Sequence, residues 1–445
     1  MSLTETDISE IIALAWCDKT SFERIEEQFG LSEKEVQKLM RKELKGSSYR
    51  LWRRRVYQRK AKHQALLRPE KSRYPDRWDS PEDTSEKNRL EDNQSKTRVA
   101  IIGAGPAGLM AANILHDNDI EVVVFDKGRR VGGRTSTRLS SQDESWVFDH
   151  GAPYFRVSES QTLWIHSLEK AGVVVRWQPR TNRDSDEREY WLARPDMRSL
   201  AQYMADNLPE GTIRTGTKIE DIMKNGTQWI LKTEKETFSS FDQIICTAPL
   251  PQAKQLLFSE EVEGLPDGKM APVWTVLLEC DALGLDEDVL EDIGICQKII
   301  QESQKPNHQG ALNNELDHWI IHSHCGWALE NIEEDKDRIG TLLISAFSRG
   351  INQPIVVRQR QVHRWRYAHS LEGSREAFWV NQEGNLYCAG DGFCFGDASA
   401  RDFGIERAIA SGIAVAEDIA QQQSINDALR QKCAQQNKKK LEQGG

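Results

Sequence analysis

The chain predicts an α/β protein preceded by a small all-α module, and three observations carry that prediction. Arg98 to Ile102 is a short β-branched run that leads into Gly103, Gly105 and Gly108 at G-x-G-x-x-G spacing. From residue 98 to about 420, strand and helix patterns alternate, as an α/β domain requires. The first 68 residues show only helical periodicity, and their charge differs from that of the rest. The net charge of −10 conceals a value of −6 over residues 1–37, +12 over residues 38–73 and −16 over the remainder.

Residues 1–68 read as a helix-turn-helix-like module. Ile8, Ile11, Ile12 and Ala15 recur at helical spacing, as do Phe22, Ile25 and Phe29. Gly30 stops the second segment. Ser32 then starts a third helix, with Glu35 completing a capping box and Val36, Leu39 and Met40 on its apolar face. The fourth segment interleaves Arg50, Arg53, Arg54, Arg55, Arg59, Lys60 and Lys62 with Tyr49, Trp52 and Tyr57. Such a block suits phosphate-backbone contact, so residues 38–67 are a candidate nucleic-acid surface. It equally suits a solvated helix, or a face that docks on an acidic body. The module resembles a short bacterial family of unassigned function, usually a free-standing small protein.

Residues 69–97 are polar, rich in Pro, Ser and acid, and read as a flexible linker. Residues 421–445 read as a polar tail. No apolar run of about 18 residues is present, so no membrane span is expected. The acidic N-terminus is unlike a secretory signal, and the eight cysteines are scattered with no C-x-x-C. Neither a metal site nor a disulfide framework is expected, and the expected location is cytoplasmic.

The strand–glycine turn–helix–strand run from 98 to 126 is a Rossmann-type dinucleotide site. Gly103 permits the tight turn, Gly105 lets the backbone approach a pyrophosphate, and Gly108 lets the helix pack close to the strand. Pro106 and Ala107 open the helix, whose N-terminus offers free N–H groups to phosphate. Asp126, 18 residues beyond Gly108, is placed for a ribose diol, with Lys127 beside it. A second glycine turn follows, Arg130 to Thr137. It resembles the R-x-G-G-R-x-x-[S/T] motif of the flavin amine oxidase superfamily, which sets Gly133 and Arg134 against the same diphosphate. Two such turns suit a permanently held cofactor, FAD.

Further on, residues 197–208 predict a helix, and Lys218–Met223 and Gln228–Thr233 predict strands about the Asn225-Gly226 turn. Residues 241–249 predict a buried strand returning to the first sheet, Leu386–Asp391 a last strand, and Phe403–Ala420 a closing helix.

Residues 98–420 resemble the renalase-like branch of the FAD-dependent amine oxidase superfamily. The resemblance rests on the two glycine motifs, DHGAPYF at 149–155, DQIICTAPLPQAKQLL at 242–257, HRWRY at 363–367 and CAGDGF at 388–393. It implies a discontinuous FAD-binding domain (about 98–155, 212–258 and 384–420) and an inserted α+β substrate domain (about 156–211 and 259–383). By the resemblance, Asp391 caps the closing helix near the ribityl chain and flavin phosphate, with Gly390 beside it in the cofactor-binding turn, and Ile219 offers its main chain to adenine; Tyr154, after the DHGA turn, is a candidate to line the flavin pocket. Cys394 lacks the context of a flavin tether, so the FAD is expected to be non-covalent.

The implied activity is oxidation of isomeric dihydronicotinamide dinucleotides, with O2 as acceptor and hydrogen peroxide as product. His322, His363, Trp365, Arg366 and Tyr367 are the candidate substrate groups, since a stacked aromatic with His and Arg suits a carboxamide and ribose. Ordinary packing explains Trp365 and Tyr367 equally well. Two further readings stand open: a flavin amine oxidase or dehydrogenase on another small substrate, and a redox sensor that binds nucleic acid through the N-terminal block.

Overall fold

The computed structural model describes residues 11, 25, 29–43, 96–139, 146–157, 162–182, 190–257, 262–308, 315–394 and 404–443. The chain divides into two units, Met1–Asn93 and Gln94–Gly445. In the first, the helix Glu33–Glu43 (α1) starts as the capping box requires: the Ser32 N–H and hydroxyl both donate to Glu35 Oε2, at 2.9 and 2.5 Å. Val36 and Met40 are fully buried on its inner face. The basic block beyond Glu43 lies outside the described residues, as does most of the linker.

The second unit begins with β1 (Arg98–Ile102), α2 (Pro106–Asp117) and β2 (Glu121–Phe125), the strand–helix–strand order expected around the glycine motif. β1 and β2 pair in parallel, and four of the five β1 residues are buried, as expected of a central strand covered on both faces. A short hairpin, β3 (Arg138–Leu139) and β4 (Val147–Phe148), leads to α3 (Thr162–Lys170), β5 (Val174–Trp177), β6 (Tyr190–Ala193) and α4 (Arg198–Asp206). β7 (Ile213–Arg214) then joins the edge of the first sheet beside β2.

The predicted strand at Lys218–Met223 forms later, as β8 (Asp221–Asn225). Lys218, Ile219 and Glu220 stay outside the strand although they too are exposed, buried and exposed in turn. It pairs through the expected Asn225-Gly226 turn with β9 (Gln228–Lys232), and β9 with β10 (Thr237–Phe241). The chain returns through β11 (Gln243–Cys246), parallel to β1, and α5 (Leu250–Leu256).

A five-stranded antiparallel sheet comes next: β12 (Lys269–Asp281), β13 (Val289–Ile293), β14 (Cys296–Gln301), β15 (Leu316–Ser323) and, after α6 (Cys325–Glu330) and α7 (Lys336–Gly350), β16 (Val357–Glu372). Its order is β13-β14-β15-β12-β16. One face packs on α7 through Trp274, Val276, Trp319 and Phe347; the other meets Trp146 and Phe148 through Leu277 and Ile320. The last strands, β17 (Trp379–Val380) and β18 (Leu386–Cys388), complete the first sheet in the order β17-β18-β11-β1-β2-β7.

The closing helix α8 runs from Gly404 to Gln443. It does not stop near 420, because the polar segment after it contains no glycine or proline to break it before Gly444. α8 crosses α2 closely: a Cβ at Gly412 would lie inside the van der Waals shell of the Ala107 carbonyl.

Candidate cofactor and substrate site

The first glycine turn is built for a close approach. Gly103 adopts φ +117°, and a Cβ there would collide with Thr247 Oγ1. A Cβ at Gly108 would press into the Gly103 carbonyl, so this glycine holds α2 against β1. Gly105 differs: it is extended, heads α2 with no side-chain cap, and a Cβ on it meets nothing within 4 Å. The orphan N–H groups of the helix therefore open onto free space lined by glycine, a cradle that fits a diphosphate. Pro106, at the first helical position, removes one of those N–H groups at no cost.

The second turn stacks on the first. Gly132 N–H donates to the Ala104 carbonyl at 2.8 Å, and a Cβ on Gly133 would stand 3.6 Å from Gly105 Cα. Asp126 braces both, its two carboxylate oxygens accepting from Ala104 N–H at 2.7 Å and Gly128 N–H at 2.6 Å. Each oxygen keeps a lone pair for another donor. The 216–219 segment runs alongside, with Thr217 N–H on the Asp126 carbonyl at 2.7 Å and Ile219 buried in the core cluster that also holds Phe125 and Phe393. Lys127 reaches Gln252 Oε1 at 3.2 Å, at the rim.

Two expectations are corrected at the far end of this cradle. Among the described residues the Asp391 carboxylate accepts from no N–H of the closing helix, which is described from Gly404 on. The carboxylate instead receives the Arg134 fork, at 2.8 Å for the Nη1–Oδ2 pair, and Ser370 Oγ at 2.7 Å. Burial pushes the Asp391 carboxyl up, but Arg134, together with Ser370 and Arg407, outweighs this and holds it below the usual carboxylate range. Arg134 thus joins the second glycine turn to the GDGF turn. Gly390 adopts φ +136°, and its N–H donates to Ser411 Oγ of α8 at 2.9 Å, so the turn does meet the helix, by another route.

The second correction concerns HRWRY. His363 and Trp365 lie on the face of β16 that meets the hairpin, but Arg366 points away, pairing with the exposed Glu333 at 2.7 Å. Period-two alternation puts it there. Tyr367 falls in an irregular stretch, since Val273 opposes Trp365 whereas Ala271 opposes His369, and it is half-buried.

Register brings the other candidates together. Thr275 of β12 opposes His322 on β15 and His363 on β16, and His322 opposes Lys298 on β14. The four form one row across four strands. Above it sits the 149–155 turn. The His150 ring lies 5.1 Å from His363 and 5.3 Å from Trp365, and the Trp365 Nε1–H donates to the His150 carbonyl at 3.0 Å. His322 is hydrogen-bonded to the His150 backbone as well. Tyr154 is buried, its hydroxyl against the Lys298 ammonium and its ring 4.8 Å from Tyr190.

The imidazoles of this group are neutral. Burial, with His363 nearby, lowers His150 to about 3; burial, with His369 nearby, lowers His322 to about 3; burial, with Arg138 nearby, lowers His363 to about 4. Three buried polar atoms face the region without a hydrogen-bond partner among the described residues: His150 Nδ1, His322 Nε2 and Thr275 Oγ1. His150, Thr275 and Lys298 were not foreseen. His150 lies inside a motif already singled out, while Thr275, in PVWTVLLEC, carries no local signal.

A parallel-sheet dinucleotide cradle facing a mixed α/β body defines the class: a Rossmann-type FAD-dependent oxidoreductase. Family comparisons agree. The flavin-containing amine oxidoreductase model matches residues 164–420, and an NAD(P)-binding Rossmann-like model matches residues 101–188. The chain belongs to the flavin-containing amine oxidoreductase family, and its cofactor is FAD. Residues 9–77 match a family described only as a protein of unknown function, DUF2805.

Among curated relatives, L-amino acid oxidase of Cerastes cerastes is 27% identical over 52% of this chain and 41% of its own length. Renalase of Mus musculus is 22% identical over 67% of this chain and 93% of its own length. The solved structure of cyclohexylamine oxidase from Brevibacterium oxydans IH-35A superposes with a TM-score of 0.54 at 12% identity, covering 74% of this chain and all of that one. That likeness concerns the fold alone. No helix among the described residues is long and apolar enough to cross a membrane.

Proposed function

We propose that the enzyme is a renalase-type flavin oxidase with non-covalent FAD, oxidising dihydronicotinamide dinucleotides reduced at the unproductive ring positions. The observation that supports this reading is a group of uncharged, partly unpartnered side chains, His322 and Thr275 in the row and His150 above it. FAD, when bound, would supply a two-electron acceptor for hydride, with O2 and one solvent proton completing the balance to hydrogen peroxide.

The protein groups do modest work. A dihydropyridine regains aromaticity on losing hydride, so no strong base is called for, and imidazoles held neutral near pH 7 suit that task. His322 Nε2 and Thr275 Oγ1 would hydrogen-bond a carboxamide, fixing the ring flat. Trp365, held by the His150 carbonyl, would give the ring an apolar wall. Supporting the reading further, the renalase alignment spans nearly all of that relative.

A second reading draws on the Tyr154–Tyr190–Trp177 group beside Lys298, which would suit a small amine. A redox-sensing role through nucleic acid would fall on residues outside those described. The deciding experiment is anaerobic mixing of the FAD-loaded protein with each dihydronicotinamide isomer and with simple amines, following loss of flavin colour. Bleaching by the unproductive isomers is expected; rapid bleaching by an amine alone would overturn the proposal.

A further inference from the structure

Asp149, Glu302, Lys305 and His308 form a buried ionic cluster that the proposed chemistry does not use. The Lys305 ammonium has no exposed surface. It donates to the Pro153 carbonyl at 2.8 Å, lies 3.3 Å from Asp149 Oδ2 and pairs with Glu302 Oε1. His308 Nε2 stands 3.2 Å from the same Asp149 oxygen and 3.8 Å from Glu302 Oε2.

The other Asp149 oxygen accepts from Thr137 Oγ1 at 2.7 Å and Met197 N–H at 2.9 Å, and the Asp149 N–H donates to Glu302 Oε2 at 2.9 Å. Burial raises Asp149, but Lys305 and His308 outweigh it and hold the carboxyl far below its usual range. Asp149, Glu302 and His308 come within 4.8 Å of one another, yet the ammonium set against both carboxylates opposes a metal ion there.

We infer that this cluster is a positioning device for the substrate face. Lys305 holds both ends of the 149–153 turn, Asp149 by charge and Pro153 by its carbonyl. Between those ends lies His150, whose ring meets His363 and Trp365 and whose carbonyl takes the Trp365 indole. Asp149 also binds Thr137, immediately after the second glycine turn, and Met197, at the head of α4. One carboxylate therefore sets the distance between the cofactor cradle and the residues facing substrate. Asp149 and Lys305 act through His150 and are positioning residues.

The inference rests on His150 lining the substrate face as proposed above, but its first two readouts need no substrate, so it stands or falls separately from the substrate class. The variant is Lys305→Met in the full-length holoprotein. Hydrogen exchange across 146–157 should accelerate by about tenfold or more while β1 and β2 keep their protection. The His150 ring, followed by NMR, should titrate nearer its ordinary range. With whichever substrate bleaches the wild-type flavin, the maximal reduction rate should fall by about a hundredfold at little-changed KM, as expected of misplacement by about 1 Å.

Unchanged exchange and an unchanged His150 titration in the folded variant would overturn the inference, as would loss of protection spread evenly over the unit. If Lys305→Met does not fold, His308→Gln, at the edge of the cluster, is read the same way with smaller changes and the same deciding outcomes.

Discussion

Replacing Gly105 by alanine separates cofactor binding from folding more cleanly than any other substitution in the glycine turn. Its backbone is extended (φ −84°), which any residue adopts, and the added methyl meets no protein atom within 4 Å. The cost to the apoprotein is that of alanine at a helix N-cap, about 0.5–1 kcal/mol. The methyl projects into the cradle where the backbone must approach the diphosphate. Losing two charge-assisted hydrogen bonds there costs about 3–6 kcal/mol, a fall in FAD affinity of roughly a hundred- to ten-thousandfold.

Gly108→Ala is the opposite case. Its methyl would collide with the Gly103 carbonyl and lie 3.1 Å from Thr247 Oγ1, so α2 must lift from β1 at about 1–3 kcal/mol or more. Flavin fluorescence titration of apoprotein gives the affinities, and thermal unfolding with and without FAD gives the stabilities. Gly105→Ala should melt like the wild-type apoprotein yet lose most of the stabilisation by FAD. A Gly105→Ala protein that binds FAD as tightly as wild type would refute the assignment of this cradle.

Three further outcomes follow from the same geometry. His150 takes its proton at about 3 when folded and near 6.5 when unfolded, so between those values the unfolded chain binds more protons. Stability is therefore lost as pH falls through that window, by on the order of several kcal/mol, which urea midpoints measured from neutral pH downward would show. Arg134→Met leaves Asp391, whose side chain is 8% exposed, without its fork; destabilisation of about 3–5 kcal/mol by denaturant titration is expected, with weaker FAD retention. Arg366→Ala should leave the rate and KM of flavin reduction unchanged, since its guanidinium serves Glu333 on the outer face, whereas Trp365→Ala should lower the rate. A matching loss in both variants, measured by stopped-flow reduction, would show that the face assignment of β16 is wrong.

The cofactor half of the molecule was legible because its information is local. Glycine spacing, a β-branched strand and an acid at the end of β2 all fall within thirty residues; packing demands Gly103 and Gly108, and the open Gly105 is the one kept for close approach of a ligand. The substrate half is written in strand register instead. Thr275, His322, His363 and Lys298 come from four strands, and nothing in PVWTVLLEC distinguishes the threonine that meets two histidines from ordinary core. Alternation alone separates Arg366 from Trp365; which face meets the hairpin depends on the β12–β16 pairing, and the irregularity around Tyr367 resets even that parity.

The misassignment of Asp391 has the same origin. A glycine-acid turn ahead of a helix locally resembles a cap, but the carboxylate finds a guanidinium 257 residues earlier, and a buried charge is stabilised far more by that partner than by a helix end. The Asp149 cluster repeats the pattern, its lysine lying 156 residues away. Where a buried charge lies in a motif, the motif's neighbours in sequence are a poor guide to its partner. In this enzyme the charges that join the glycine turns to the proposed substrate face are long-range pairs, which is why local motifs mark the glycine turns but not the groups that hold the two halves in register.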